Sequence, residues 1–217
     1  MEGVCYTIGY SDLPPGVFLD CIKENAIDTI IDVRSSPYSA YQTQYNREEI
    51  KRFLNNNQIE YIFCGHKIGG RYTDPTLLYA NGVVNYESVR KRAEFQHGID
   101  DLIDLIRGGR KICLMCSEKL PEKCHRFILV SRELQNRGVR VLHIVPGVSL
   151  ISNEKLEEKL IKEMFDEEQK SLFGSQSDTR ERLYQELNQS SGYRVSLEGN
   201  ETKKKGESKK GIQETLF

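Results

Sequence analysis

Short apolar runs alternate along most of this chain with segments of helical periodicity, and this alternation restricts the fold more than any other feature. Residues 4–8 and 29–33 have the composition of buried strands, and between them Phe18, Cys21 and Ile22 share one face of a helix. Strand, helix and strand in succession are typical of a parallel sheet covered by helices. We expect right-handed crossovers between such strands.

The same pattern continues as far as residue 145. The further predicted elements are a helix at 47–56, a strand at 60–64, a helix ending before Gly108, a strand at 111–116, a helix after Cys124 and a strand at 139–145. We therefore predict an α/β fold with a mainly parallel sheet of about five strands and helices on both faces.

The length of 217 residues allows one domain of ordinary size with extensions. We predict an α/β core domain at 1–147 and a helical C-terminal extension at 148–193, with an amphipathic helix at about 156–164. Residues 194–217 are rich in lysine and poor in apolar side chains, so we expect a disordered tail there.

The formal charge is nearly balanced, with 31 Lys and Arg against 32 Asp and Glu and a net charge of -1. The chain as a whole therefore has no electrostatic attraction for nucleic acid or membranes. Any anion binding must come from a local cluster of basic side chains.

The N-terminal segment does not resemble a signal sequence, and no apolar stretch approaches membrane-spanning length. We therefore expect a cytoplasmic protein with no membrane partner. Six cysteines in that compartment are expected as thiols rather than disulfides, and Cys5, Cys21 and Cys113 are expected only to pack.

Polar side chains that can bind ligands follow each predicted strand, where parallel strands bring their carboxyl ends to one edge of a sheet. We therefore expect them to share a crevice. The candidate ligand-binding residues are Ser11, Asp32, Arg34, Gly69, Gly70, Arg71, Cys124, Arg126 and His143.

The densest group of reactive side chains lies between the fourth strand and the following helix. Cys116 is a candidate nucleophile, because a thiol beside a helix start with His125 and Arg126 nearby would have a lowered pKa. Glu118 is a candidate acid-base group and His125 a candidate proton donor. The alternative for Cys116 is a buried packing residue, since ten positions separate it from Arg126 and the compact anion loop of protein phosphatases and rhodaneses is absent.

A metal site is the other possibility for this segment, because it supplies soft ligands. The potential ligands are Cys116, Cys124 and His125, with Cys64, His66 or His143. However, seven residues between the two thiols fit no familiar zinc pattern, and the adjacent Cys124 and His125 are expected to point in different directions from a helix start. We therefore predict packing and capping rather than a metal, and no cofactor.

Arg34, Arg71 and Arg126 suit a phosphate or a carboxylate, because planar guanidinium groups bind such anions in a bidentate way. The alternative is ion pairing with Asp32 and Glu118, and both roles can hold at once. Glycines 69 and 70 would let the backbone approach a phosphate, although two glycines in a loop are also typical of a simple turn.

Five tyrosines accompany these clusters in the predicted loops. Aromatic side chains interleaved with basic ones suit a nucleobase or a single strand, whereas ordinary half-buried packing is the alternative. They are Tyr38, Tyr41, Tyr45, Tyr72 and Tyr79.

These motifs resemble the domain-of-unknown-function 488 family of prokaryotic proteins over about residues 4–190. The matching segments are 6–11, 32–37, 68–71, 114–118 and 121–126, with His143 closing the domain. The Cys-Ser-Glu to Cys-His-Arg stretch is the most specific of them, and family members usually carry His where Tyr10 stands. The resemblance implies an α/β fold and no established reaction.

Two further segments, 169–173 and 213–217, resemble the Gln-x-x-Leu-Phe peptides that dock on the bacterial sliding clamp. Gln213, Leu216 and Phe217 are the candidate partner-binding residues, because a peptide on a flexible tether can order on its partner. The alternative for 169–173 is that its apolar pair packs on the domain.

Two hypotheses follow. The first is an enzyme or enzyme-like domain that binds a phosphate-containing small molecule or nucleic acid at the strand ends. The second is a non-catalytic module that binds nucleic acid or a partner and is recruited through its Gln-x-x-Leu-Phe peptide. Whether the protein is an enzyme stays open at this point.

Overall fold

A six-stranded sheet forms the centre of the protein, for which a computed structural model describes residues 3–147, 149–166 and 174–196. The strands are β1 (Val4–Gly9), β2 (Thr29–Asp32), β3 (Glu60–Phe63), β4 (Ile112–Cys116), β5 (Arg140–Val145) and β6 (Ser149–Ser152). Their order across the sheet is β3-β2-β4-β1-β5-β6.

The first five strands run parallel, and β6 pairs antiparallel with β5. The predicted α/β fold with a mainly parallel sheet is thereby confirmed. The sixth strand was not expected, because the sequence pattern ends the sheet at Pro146 and Gly147. The chain instead reverses after these residues and adds a four-residue edge strand.

Eight α-helices and several single turns connect and cover the strands in the described part of the chain. The α-helices are α1 (Pro15–Glu24), α2 (Arg47–Asn56), α3 (Gly65–Ile68), α4 (Tyr86–Arg90), α5 (Ala93–Arg107), α6 (Arg132–Asn136), α7 (Asn153–Met164) and α8 (Gln176–Ser191). Short 3-10 turns lie at Thr43–Tyr45, Pro75–Leu77 and Pro121–Lys123, and a π-helical turn at Arg126–Ser131 leads directly into α6.

Both faces of the sheet are covered, because successive side chains of a strand point to opposite faces. On one face Ile30 and Met115 pack with Phe18 of α1 and Leu54 of α2. On the other face Leu114 joins the larger hydrophobic cluster, which includes side chains of α5, α6, α7 and α8. The prediction of helices on both faces is confirmed.

The last helix packs back on the core rather than extending away from it. A capping box of Ser175 and Asp178 begins α8, and its Tyr184 and Leu187 are buried in the larger cluster. Beyond α8, the amide of Val84 donates to the carbonyl of Tyr193 at 2.9 Å. The end of the described chain is therefore attached to the loop before α4.

Several predictions concern residues that the structure does not describe. They are the two Gln-x-x-Leu-Phe segments at 169–173 and 213–217, with Gln213, Leu216 and Phe217, and the expected disorder of 197–217. Among the described helices, none combines the length and apolar character needed to cross a membrane.

Candidate functional site

The carboxyl ends of β1, β2 and β4 lie side by side and form the floor of the candidate site. The backbone amide of Tyr10 donates to the carbonyl of Cys116 at 3.0 Å, and that of Ser11 donates to Ser117 at 2.9 Å. The amide of Val33 donates to Met115 at 3.2 Å. The polar segments that follow these three strands are therefore brought together, as the sequence predicts.

A cleft of about 490 Å³ opens at this edge. Eight of the twelve predicted site residues line it, namely Ser11, Arg34, Gly70, Arg71, Cys116, Glu118, Cys124 and His125. The other four, Asp32, Gly69, Arg126 and His143, lie outside the lining.

Arg126 holds the loop after β4 instead of facing the cleft. Its side chain is only 1% exposed, and its guanidinium donates to the carbonyls of Glu118 at 2.6 Å and Lys119 at 3.0 Å. A Cβ on Gly9 would lie 1.9 Å from the Glu118 carbonyl oxygen, so a glycine there lets the loop cross the end of β1. Arg126 and Gly9 together fix the position of Glu118.

Arg34 lines the cleft and also forms a buried ion pair. Its Nε and Nη2 donate to the two carboxylate oxygens of Asp32 at 2.9 and 2.5 Å, and its Nη1 donates to the Tyr10 hydroxyl at 2.7 Å. Burial opposes the charge of Arg34, but the bonded Asp32 carboxylate raises its pKa above the ordinary value. Asp32 is fully buried and also accepts from Tyr61 at 2.6 Å, so its role is to orient Arg34.

Arg71 is more available than Arg34 to a ligand in the cleft. It is exposed, and among the described residues it has no ion pair. Its guanidinium lies 5.3 Å from the centre of the Tyr193 ring, and its backbone amide donates to the Ser35 hydroxyl at 3.0 Å. An aromatic ring and a serine therefore hold it in place while its charge faces the cleft.

Four side chains on the cleft floor form what we call the thiol cluster, namely Cys116, Glu118, Cys124 and His125. Their potential ligand atoms all lie within 4.8 Å of one another. The Oε2 atom of Glu118 is 2.7 Å from the Cys116 Sγ and 3.2 Å from the Cys124 Sγ. The Nδ1 atom of His125 is 3.9 and 3.8 Å from the same two sulfurs.

The expectation that Cys124 and His125 point in different directions is wrong. Cys124 has extended backbone angles, with φ of -131° and ψ of 141°, whereas His125 already has helical angles of -58° and -23°. This change of backbone conformation between the two residues turns both side chains toward Cys116. A continuous helix start would have separated them.

Gly70 makes room for the imidazole of His125. A Cβ on Gly70 would lie 2.7 Å from both Cβ and Cγ of His125 and 3.0 Å from the Tyr86 hydroxyl. The glycine therefore serves the packing of His125. Gly69 does not line the cleft, and its amide is bonded to the carbonyl of Gly65 at 3.1 Å.

The electrostatics of the thiol cluster favour a protonated Cys116 and an ionised Glu118. Burial and the neighbouring Cys124 raise the pKa of the Cys116 thiol well above its ordinary value. Burial opposes ionisation of Glu118, but bonds from the Cys116 thiol and the charge of His125 lower the pKa of its carboxyl to about 2. An activated cysteine nucleophile requires the opposite shift of the thiol.

His143 belongs to a separate buried network. Its Nδ1 lies 2.8 Å from the Thr7 hydroxyl and its Nε2 lies 3.1 Å from Oδ1 of Asn153. Burial lowers its pKa to about 3, so the ring is neutral at physiological pH. It connects β5 and β1 to the start of α7 and does not contribute to the cleft.

Three exposed tyrosines surround the cleft. Tyr38, Tyr41 and Tyr193 are 61%, 98% and 37% exposed and line it. Tyr45, in contrast, is buried and stacks on Tyr10 with ring centres 4.0 Å apart. Of the five predicted aromatic platforms, Tyr72 and Tyr79 also lie outside the cleft lining.

The sequence did not identify Tyr193 or Lys123 as site residues, although both line the cleft. Tyr193 arrives through an antiparallel bridge between Val83 and Arg194, which pairs residues more than a hundred positions apart. Lys123 follows Pro121 in a 3-10 turn. Its position between two predicted site residues was the only signal in the sequence.

Comparison with known proteins gives one result. A family model described as "Domain of unknown function DUF488" matches residues 16–133, a segment that contains all four members of the thiol cluster as well as Arg34 and Arg71. No curated protein and no solved structure matches the chain significantly.

Proposed function

This chain belongs to the DUF488 family, whose description assigns no reaction, and we propose that it binds a phosphate-containing ligand of nucleotide or nucleic-acid type. The observation that carries the proposal is the position of Arg71, an exposed guanidinium without an ion pair among the described residues, against the ring of Tyr193. A cation and an exposed aromatic ring side by side suit a phosphate joined to a base.

The rest of the cleft lining supports this ligand class. Lys123 adds positive charge, whereas the charge of Arg34 is paired with Asp32, and the serines 11, 35 and 36 offer hydroxyl donors to phosphate oxygens. A volume of about 490 Å³ lies within the range of about 300–1,000 Å³ that small-molecule sites occupy. Tyr38 and Tyr41 leave most of their surface exposed beside the cleft, where a base or a strand can stack on them.

The proposal places the reacting part of the ligand beside the thiol cluster. If the domain is catalytic, Cys116, Glu118 and His125 are the proposed groups for nucleophilic attack, acid-base transfer and proton donation, respectively, and attack by Cys116 would require its raised thiol pKa to be lowered by the ligand or an ion. Cys116→Ser separates an enzyme from a binding module, because an enzyme that attacks through the thiol loses turnover while retaining ligand. A non-catalytic binding module with the same change would retain ligand binding, which is its only activity.

A thermal-shift screen tests the proposed ligand class. We expect inorganic phosphate to raise the melting temperature slightly, and AMP or a short single-stranded DNA to raise it further, because a ligand that binds only the folded state stabilises it. Arg71→Ala should abolish the shift. Arg107→Ala, on the outer helix α5, is the matched control and should retain it. Unchanged melting with all three probes would contradict the proposal.

The sequence supports a second role through a partner. We propose that the Gln-x-x-Leu-Phe peptide at 213–217, which lies outside the described residues, docks its Leu216 and Phe217 into the apolar groove of a sliding clamp.

All six cysteines are free thiols, as a reducing compartment maintains them. The proposal therefore places both roles in the cytoplasm.

A further inference from the structure

We propose that the thiol cluster is a zinc site on the floor of the cleft, with Cys116, Cys124, His125 and Glu118 as its ligands. Two thiols, an imidazole and a carboxylate are the donor types that zinc prefers. Their potential ligand atoms converge within 4.8 Å although they come from two different backbone segments, the end of β4 and the turn before α6. Magnesium and calcium prefer oxygen ligands alone.

The distances from His125 to the two sulfurs are close to those of tetrahedral coordination. Zinc–ligand bonds of about 2.0–2.3 Å place the donor atoms of a tetrahedral site about 3.3–3.8 Å apart. The Nδ1 atom of His125 lies 3.9 and 3.8 Å from the sulfurs of Cys116 and Cys124. Glu118 Oε2 is closer to the sulfurs, at 2.7 and 3.2 Å, than two ligands of one tetrahedral zinc ion would be. Zinc binding therefore requires this carboxylate to move outward.

The surroundings of His125 provide an independent indication of metal binding. Its Nε2 lies 2.9 Å from the carbonyl oxygen of Val33. A carbonyl can only accept, so Nε2 is the donor in this bond, and Nδ1 is the nitrogen that faces the thiols and would offer its lone pair to a metal once it is deprotonated. A histidine whose second ring nitrogen donates to a backbone carbonyl is the usual arrangement behind a metal ligand.

The other ligands are also held in place. The backbone amide of Arg126 donates to the Sγ of Cys124 at 3.5 Å, a contact that helps to fix the position of this sulfur. Cys116 ends a strand inside the sheet, and Arg126 fixes the backbone of Glu118. The site is therefore largely formed before an ion enters.

Zinc binding would release the two thiol protons to solvent, since thiolates are the binding form. Cys116 and Cys124 are buried, whereas Glu118 is exposed on the cleft side. Glu118 is therefore the ligand that an anionic group in the cleft can replace, as zinc sites with three fixed protein ligands allow. This exchange rests on the proposed phosphate ligand, but the zinc site itself does not.

Metal analysis of the full chain, purified under reducing conditions and supplied with zinc, tests the site without any cleft ligand. We expect one zinc per chain by elemental mass spectrometry, and loss of most of that zinc in Cys124→Ser. Cys21→Ser is the matched control, because Cys21 is a partly exposed thiol on α1, away from the cleft, and it should retain the metal. Substoichiometric zinc in the supplied wild type, or equal zinc in Cys124→Ser, would overturn the proposal.

Cobalt substitution tests the same site in the wild type, so its result does not depend on whether Cys124→Ser folds. In the wild type, Co²⁺ bound by two thiolates in a tetrahedral site gives thiolate-to-cobalt charge-transfer bands and intense visible bands. We expect both, and Zn²⁺ should displace them. A spectrum without charge-transfer bands would refute cysteine ligation. Because no nucleotide is present, either outcome is independent of the ligand-binding proposal.

Discussion

The Nε2 atom of His125 lies 2.9 Å from the carbonyl oxygen of Val33, although 92 positions separate the two residues. This contact joins the start of the π-helical turn to the end of β2 and fixes the orientation of the imidazole. The ring then presents Nδ1 to Cys116 and Cys124. The thiol cluster is therefore positioned by the sheet as well as by its own loop.

The position of His125 should be sensitive to Gly70. We expect Gly70→Ala to lower the free energy of unfolding by about 1–3 kcal/mol, because the added methyl group overpacks against the imidazole, and to reduce the bound zinc. Urea unfolding and metal analysis measure the two effects. Gly16→Ala is the control, since a Cβ there meets nothing within 4 Å. Equal stability and zinc content in Gly70→Ala would contradict this packing.

The buried pair of Asp32 and Arg34 should be costly to break on one side only. We expect Asp32→Asn to lower the free energy of unfolding by about 3–5 kcal/mol, because it leaves the buried guanidinium without its counter-ion. The double change Asp32→Asn with Arg34→Met should cost less than Asp32→Asn alone. Chemical denaturation measures both variants, and additive losses would show that the pair is not coupled.

His143 should make the protein less stable in acid. Its pKa is lowered to about 3 by burial, so the unfolded chain binds a proton below pH about 6.5 that the folded protein does not bind. The neutral His143 ring contributes its full stability above pH about 6.5. This contribution is lost as the pH falls toward 3, at up to about 1.4 kcal/mol per pH unit. Unfolding measured across this range should be less pH-dependent in His143→Gln. Parallel curves for the two proteins would exclude this role.

The Gln-x-x-Leu-Phe peptide should bind a sliding clamp through its apolar pair. A synthetic peptide covering 208–217 is expected to bind a bacterial clamp, and the version with Leu216→Ala and Phe217→Ala should not, because the groove accepts apolar side chains. Fluorescence anisotropy of the labelled peptides compares the two directly. Equal binding would reject this partner.

Much of the fold follows from the sequence, because apolar runs and helical periodicity are local signals. The convergence of Arg34 and Cys116 also follows, since parallel strands share a carboxyl edge. The function of Arg126 does not, because its partners are backbone carbonyls, which no residue type reveals. Nor does the position of Tyr193, which depends on a long-range bridge.

The thiol cluster is only partly predictable from the sequence. The sequence brings Cys116, Cys124 and His125 within ten positions, so their proximity is expected. Their convergence depends on one change of backbone conformation between Cys124 and His125. Residue spacing does not encode that change, and the sequence therefore favoured packing over metal binding.

Calorimetric titration with AMP measures whether the cleft binds a phosphate joined to a base through Arg71 and Tyr193. We expect Arg71→Ala to lower the affinity at least tenfold, which corresponds to about 1.4 kcal/mol, and Tyr193→Ala to weaken AMP more than inorganic phosphate. Arg107→Ala should bind like the wild type. Equal AMP affinity in the wild type and Arg71→Ala, or no binding to either, would show that this cleft is not a nucleotide site held by Arg71.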